Sequence, residues 1–223
     1  MSFLILVLDL DDTLYPERTF VESGMNTVAH WLSKNYGVPQ RSVFLRLLGE
    51  LDSSGRGRVF DVVLADLNLF SSENIEQCVE IYRGHKPQIN LYPGALDAIQ
   101  RHSALPTYLL TDGFPAVQMR KVHVLGIENH FRRIFTTWSF GRESGKPSLR
   151  CFREIVQIED SSLQEIIYVG DDPNKDFVSL NAVGARTVRV MSGRFADAQA
   201  APGYDAQTRI DGIANLDLLR FPN

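Results

Sequence analysis

Six apolar residues, Phe3-Leu4-Ile5-Leu6-Val7-Leu8, run without interruption into Asp9, with Asp11 and Asp12 close behind. A short Leu/Ile/Val-rich run stopped by acids has the pattern of a strand covered on both faces, which predicts a central parallel strand. It has no basic leading segment and no small-residue cleavage site, so it does not read as a signal peptide. Similar runs recur at Pro106–Leu110, Arg133–Thr137, Glu165–Val169 and Arg186–Val190. Between them lie stretches of helical length, Gly94–His102, Pro115–Leu125, Leu149–Ile158 and Pro173–Val183, several opened by a proline. Strands alternating with helices predict an α/β fold, a Rossmann-like parallel sheet flanked by helices.

The pattern changes between the first run and the second. Val21, Met25, Val28 and Leu32 fall at helical spacing, and further apolar stripes follow at Val43–Leu51, Val59–Leu67 and Ile75–Tyr82. This stretch predicts a small all-helical insertion over residues 15–90, with residues 1–14 and 91–223 forming the α/β domain. A chain of 223 residues accommodates both. Residues 196–214 read as loop.

Composition narrows the function. Apolar residues are 44% and charged residues 22% of the chain, which argues against disorder. The net charge of -4 gives no basic footprint for nucleic acid. Cys78 and Cys151 stand far apart without partners at metal-ligand spacing, so neither a disulfide framework nor a zinc site is expected, and a cytoplasmic location is. No stretch approaches the ~18 consecutive apolar residues of a membrane helix, so a soluble protein without a membrane partner is expected.

The chemistry gathers where strands end. Asp9 and Asp11, two apart, point to the same side at the end of the first strand. The carboxyl edge of an open parallel sheet is where ligands bind. Gly170-Asp171-Asp172-Pro173-Asn174-Lys175-Asp176 follows another buried strand at that same edge. Isolated, the first pair reads as an acidic turn, and Asp172 as a cap before Pro173. Several carboxylates converging at one edge would repel one another unless a cation neutralised them, and such oxygen ligands suit Mg²⁺. Thr111-Asp112-Gly113 and Lys146 occupy further strand ends. A Thr hydroxyl with the following N–H groups forms an anion-binding concavity, and a lysine adds a point charge for phosphate oxygens.

In these four segments, Asp9-Leu10-Asp11-Asp12-Thr13, Thr111, Lys146 and Gly170-Asp171 with Asp176, the chain resembles the haloacid dehalogenase (HAD) superfamily of phosphohydrolases. The resemblance covers nearly the whole chain. The insertion looks like that family's helical cap of the first type, and Leu91-Tyr92-Pro93-Gly94-Ala95 like its return segment. Phosphoglycolate phosphatase-like members are similar, and Leu14-Tyr15-Pro16 resembles the pyrimidine 5′-nucleotidases. The chain departs from the pattern at Asp12, often Gly in the family, at Ser148 after Lys-Pro, and at Gly145 directly before Lys146; Lys175 is the second lysine near the site.

The resemblance implies a phosphatase acting on a small phosphate monoester such as a nucleotide or sugar phosphate. Asp9 would attack phosphorus to form an aspartyl-phosphate, offset by Mg²⁺ and Lys146. Asp11 would act as acid and then base, which requires its carboxyl to be raised at the start. Thr111, Asp112, Gly113 and Lys146 would hold the phosphoryl group. Mg²⁺ would sit on the Asp9 carboxylate, the Asp11 backbone carbonyl and Asp171, with Asp172 and Asp176 in support. Arg56 and Arg58 in the insertion, with Arg18 and Tyr15 near its start, are the candidate substrate contacts. A monomer or homodimer is expected. A phosphomutase or phosphotransferase on the same motifs is the alternative, and a silent phosphate-binding module a third.

Overall fold

The computed structural model describes residues 4–218; Phe3 and the outermost residues of the expected α/β spans lie outside the described residues. The chain forms two compact units, one comprising the segment that ends at Glu17 together with the segment from Ile89 onward, the other Arg18–Gln88. In chain order the strands are β1 (Ile5–Leu8), β2 (Thr107–Thr111), β3 (Arg133–Thr136), β4 (Ile166–Gly170), β5 (Arg186–Val190) and β6 (Thr208–Ile210). The helices are α1 (Glu17–Tyr36), α2 (Gln40–Ser54), α3 (Val59–Asp66), α4 (Ser72–Gly84), α5 (Ala95–Arg101), α6 (Pro115–Leu125), α7 (Arg150–Ile158) and α8 (Val178–Ala182).

The six strands make one sheet, every neighbouring pair parallel, in the order β3-β2-β1-β4-β5-β6. Strand β1 is central, with Leu8 paired to Leu109 on one side and Val169 on the other. The order reverses between β1 and β4, which opens a crevice beyond their carboxyl ends. All four residues of β1 are fully buried, so its sequence needs no polar alternation. Ile5, Val7, Tyr108, Leu110, Ile166 and Tyr168, alternate residues of three strands, join Cys151, Phe152 and Ile155 of α7 in one core cluster. Pro115 opens α6 where a missing N–H is harmless, and Gly126 ends it in the left-handed region at φ +70°.

Two elements differ from the sequence reading. Strand β6, three residues added to the edge beside β5, lies inside the expected loop; so short a segment carries no periodicity. The helix expected over Pro173–Val183 is reduced to Val178–Ala182. Its first part is instead a tight turn, because the carboxylate of Asp176 folds back to accept the N–H groups of Asp171 at 3.1 Å and Asp172 at 2.9 Å.

The second unit is helical throughout its regular structure. Val21, Met25, Val28, Ala29 and Leu32 of α1 pack with Val43 and Leu47 of α2, Val59, Val63 and Leu64 of α3, and Cys78 of α4. Ser71 caps α4 by accepting the N–H of Asn74 at 3.1 Å. In the α/β unit the ends flanking this insertion are hydrogen-bonded together, the N–H of Tyr92 donating to the Leu14 carbonyl at 2.9 Å. Both cysteines are buried and unpaired with each other, and burial pushes the Cys78 thiol up to about 12 and that of Cys151 to about 11. Among the described residues no helix is long and apolar enough to cross a membrane.

Candidate active site

The site is built at the carboxyl ends of β1, β2 and β4. Asp9 continues the β1 ladder, its N–H donating to the Val169 carbonyl at 2.9 Å. Its Oδ1 accepts the N–H of Leu10 at 2.8 Å, and its Oδ2 accepts from Lys146 Nζ at 2.7 Å. Gly170, at the end of β4, lets the chain pass against Asp176: a Cβ there would lie 2.5 Å from the Asp176 Oδ2. Carboxylate oxygens of Asp9, Asp171 and Asp176 lie within 4.8 Å of one another, and all three residues are buried.

Lys146 reaches this group despite the Gly145 before it. Its buried ammonium bridges Asp9 Oδ2 at 2.7 Å and Asp176 Oδ1 at 2.8 Å, and meets the Tyr168 hydroxyl at 2.8 Å. Burial alone would lower the Lys146 ammonium, but Asp176 and Asp9 outweigh it and hold the group charged, well above its ordinary value. One ammonium does not balance three acids. Burial, with the charge of Asp176 adding to it, pushes the Asp9 carboxyl up to about 7 against the pull of Lys146. Burial and the charges of Asp176 and Asp9 push Asp171 up to about 9. A hard cation satisfies such a crowded oxygen donor set, so the residues fit Mg²⁺.

Asp176 donates little of itself to that cluster. Both its oxygens are engaged, one by two backbone N–H groups and the other by Lys146 and, at 3.4 Å, by Tyr168. Asp172 accepts the N–H and side-chain amide of Asn174 at 3.0 and 2.8 Å, which closes the turn. Asp112 accepts from the Thr137 hydroxyl at 2.8 Å, the Lys146 N–H at 3.1 Å and Lys175 Nζ at 3.0 Å. Lys175 is thereby tied to Asp112 rather than taking the position of Lys146.

The structure settles the direction at Asp11, which the acid role alone leaves open. Burial pushes its carboxyl up, but the charge and hydrogen bonds of Lys121, with those of Tyr15 and Gln118, outweigh burial and leave it below the usual range. Lys121 Nζ lies 2.7 and 3.0 Å from its two oxygens, Gln118 Nε2 lies 2.9 Å from Oδ2, and the Tyr15 hydroxyl donates to Oδ1. Tyr15 is itself fully buried, with its hydroxyl on Asp11. Gln118 Nε2 also lies 2.9 Å from Thr111 Oγ1 and beside the Asp112 carbonyl, so its two N–H groups are shared among three acceptors and the Thr111 O–H is left to donate elsewhere. Gly113, at φ +131°, admits this close approach: a Cβ would stand 3.1 Å from Gln118 Nε2.

Asp12, where the family often has Gly, sits in the left-handed region at φ +55°. Its carboxylate accepts the N–H of Glu17 at 2.8 Å and that of Arg194 at 3.1 Å. In the helical unit, Arg18 pairs with Glu22 at 2.9 Å and with Asp52, whereas Arg56 and Arg58 stand on an exposed loop after α2. Sequence reasoning missed Gln118, Lys121 and Tyr168. The available signal was spacing: Gln118 and Lys121, three apart, share a face of the helix that starts just after Gly113, and Tyr168 alternates with Ile166 and Gly170.

Fold and site together define a doubly wound α/β core with a lysine-bridged acidic cluster at its switch point. The family model for haloacid dehalogenase-like hydrolases matches residues 4–184, and the chain belongs to that family. A glyceraldehyde 3-phosphate phosphatase from Methanocaldococcus jannaschii is 28% identical over 223 residues, 95% of this chain and 97% of the relative. A phosphoserine phosphatase from Thermus thermophilus is 31% identical over 150 residues, 66% of this chain and 59% of the relative. Among solved structures, the HAD-hydrolase YfnB from Bacillus subtilis bound to magnesium shares the fold at a TM-score of 0.67 and 16% identity, covering 97% of this chain and 100% of that one.

Proposed function

We propose that the chain is a Mg²⁺-dependent phosphatase of small phosphate monoesters that works through an aspartyl-phosphate on Asp9. One observation carries the reading: Lys146 Nζ lies 2.7 Å from Asp9 and 2.8 Å from Asp176, inside a buried cluster that also holds Asp171. This is a nucleophile already paired with a cation, beside oxygens that take a second. The curated relatives support the substrate class, since the two described above are phosphatases of small metabolites by name.

In the first step an Asp9 oxygen bonds to phosphorus, the P–O bond to the alcohol breaks, and the leaving oxygen takes a proton from Asp11. In the second, water attacks phosphorus, Asp11 takes the water's proton, and the bond to Asp9 breaks to release inorganic phosphate. Thr111 and the N–H groups of Asp112 and Gly113 hold the phosphoryl oxygens, with Lys146 neutralising charge at the nucleophile. At rest Asp11 is a carboxylate, suited to the second step. For the first it takes up a proton as the phosphate's negative charge arrives and raises it, and an ester with a second pKa near ~6 can bring that proton. Asp9, the Asp11 carbonyl and Asp171 would hold Mg²⁺, which supplies charge stabilisation on the phosphoryl oxygens. Asp176 and Asp172 support the turn, as their engaged oxygens indicate.

For residues 1–14 and 91–223 we propose the role of catalytic core, and for 15–90 that of a substrate-selecting cap, with Arg56 and Arg58 as its candidate contacts. Phosphate release from a panel of phosphorylated metabolites, with and without Mg²⁺, tests the reading. Mg²⁺-dependent release is expected, and Asp9→Asn should lower it by about 10³-fold or more. Full turnover by Asp9→Asn overturns the nucleophile, and an isomerised product with negligible phosphate turns the reading to a mutase.

A further inference from the structure

Helix α6 carries a polar pair that the proposed reaction does not use directly. Gln118 and Lys121 are both buried, although neither residue type is common in a core. Their spacing of three puts them on one helical face, and both meet Asp11: Lys121 Nζ at 2.7 and 3.0 Å, Gln118 Nε2 at 2.9 Å. With the Tyr15 hydroxyl also on Oδ1, the carboxylate has donors on both oxygens and little freedom to rotate. The same Gln118 nitrogen reaches Thr111 Oγ1 at 2.9 Å, which couples the position of Asp11 to the loop expected to hold phosphate. A buried lysine paired with a carboxylate is expensive to desolvate and contributes little to folding that an apolar pair would not.

We propose that Lys121 and Gln118 are positioning residues: together they fix the Asp11 carboxyl at the height of the leaving-group oxygen, relative to the phosphoryl group set by Thr111. The inference rests on Asp11 being the acid–base residue. It asks of α6 only that it hold a carboxylate in place, with no covalent step of its own. The consequence is specific to the leaving group. An alkoxide must be protonated as it departs, whereas p-nitrophenolate leaves unaided, so misplacing Asp11 harms one class of ester and spares the other.

The test compares kcat/KM on glycerol 3-phosphate and on p-nitrophenyl phosphate for the wild type, Lys121→Met, Lys121→Arg, Gln118→Leu and Asp11→Asn. The ratio of the two substrates within one preparation does not depend on how much of the protein is folded. Lys121→Met is expected to lower the alkyl ester by about 10- to 100-fold through kcat, and the aryl ester by less than about threefold. Gln118→Leu should shift the ratio the same way by a smaller factor, and Lys121→Arg should restore part of it. An unchanged ratio in Lys121→Met, whether both activities fall or neither does, overturns the proposal while Asp11→Asn still shifts it. If Asp11→Asn leaves the ratio unchanged too, the acid–base role of Asp11 falls and the positioning role with it.

Discussion

Gly170 is the residue on which the acidic cluster turns. The carboxylate of Asp176 occupies the space a side chain there would need, with a Cβ position only 2.5 Å from its Oδ2. The oxygen is held by two N–H groups of the turn, so it has no slack to retreat into. Gly170→Ala is therefore expected to cost about 1–3 kcal/mol in stability. It should also loosen Lys146, whose ammonium leans on the other oxygen of Asp176, and lower kcat. Urea unfolding and steady-state kinetics check the two effects, and unchanged values in both would show that Asp176 is not held there. The clustered carboxylates Asp9 and Asp171 were legible from their place at strand ends. Their supports were not: Tyr168 reads as one more core aromatic, and Lys121 as an ordinary helical lysine, until the carboxylates they touch are located.

Among the helical elements, glycines at similar-looking positions have opposite roles. Gly24 in α1 faces the Tyr82 ring of α4, and a Cβ there would fall 2.6 Å from it. That ring is itself enclosed by Phe20, with centroids 5.8 Å apart, and Phe60, at 6.0 Å. An alanine gains about 1 kcal/mol in helix propensity, but the overpacking costs about 1–3 kcal/mol, so Gly24→Ala is expected to destabilise. At Gly49 in α2 the place a methyl group would take has no neighbouring atom within 4 Å, and Gly49→Ala should stabilise by about 0.5–1 kcal/mol. At about 2–4 °C per kcal/mol for a chain of this size, thermal melts will separate the two signs. The apolar stripes revealed all four helices here because burial enforces their period. Helix α8 was overestimated because Asp176 bonds backward to the turn, a choice that periodicity does not register.

At the scale of the whole molecule, the sheet collects charge at one edge. The strands were readable from their unbroken apolar runs, yet their order was not, since pairing is decided by contacts between segments far apart in the chain. Only the order places Asp9 and Asp171 on neighbouring strands. Both carboxyls have folded values above their unfolded ones, so without a cation their stabilising contribution is whole below about pH 4. It is lost as pH rises through about 7 for Asp9 and about 9 for Asp171. A divalent cation binds the ionised pair and must displace those protons when the solution is more acidic, at about 1.4 kcal/mol per pH unit for each proton. The rise in Tm from a fixed Mg²⁺ concentration should consequently be larger at pH 8.5 than at pH 6, and Asp171→Asn should flatten the difference. An equal rise at both pH values in the wild type would count against these residues as the cation's ligands.

The hydrogen bond between Tyr92 and Leu14 bears on how such a chain can be rebuilt. The two strands of backbone that lead out of the α/β unit and back into it are clasped at their base, so a short linker could close the gap with little entropic penalty. The helical segment is thus a cassette: another insert whose ends lie equally near could be grafted at this seam, and the sheet's own path would be left as it is.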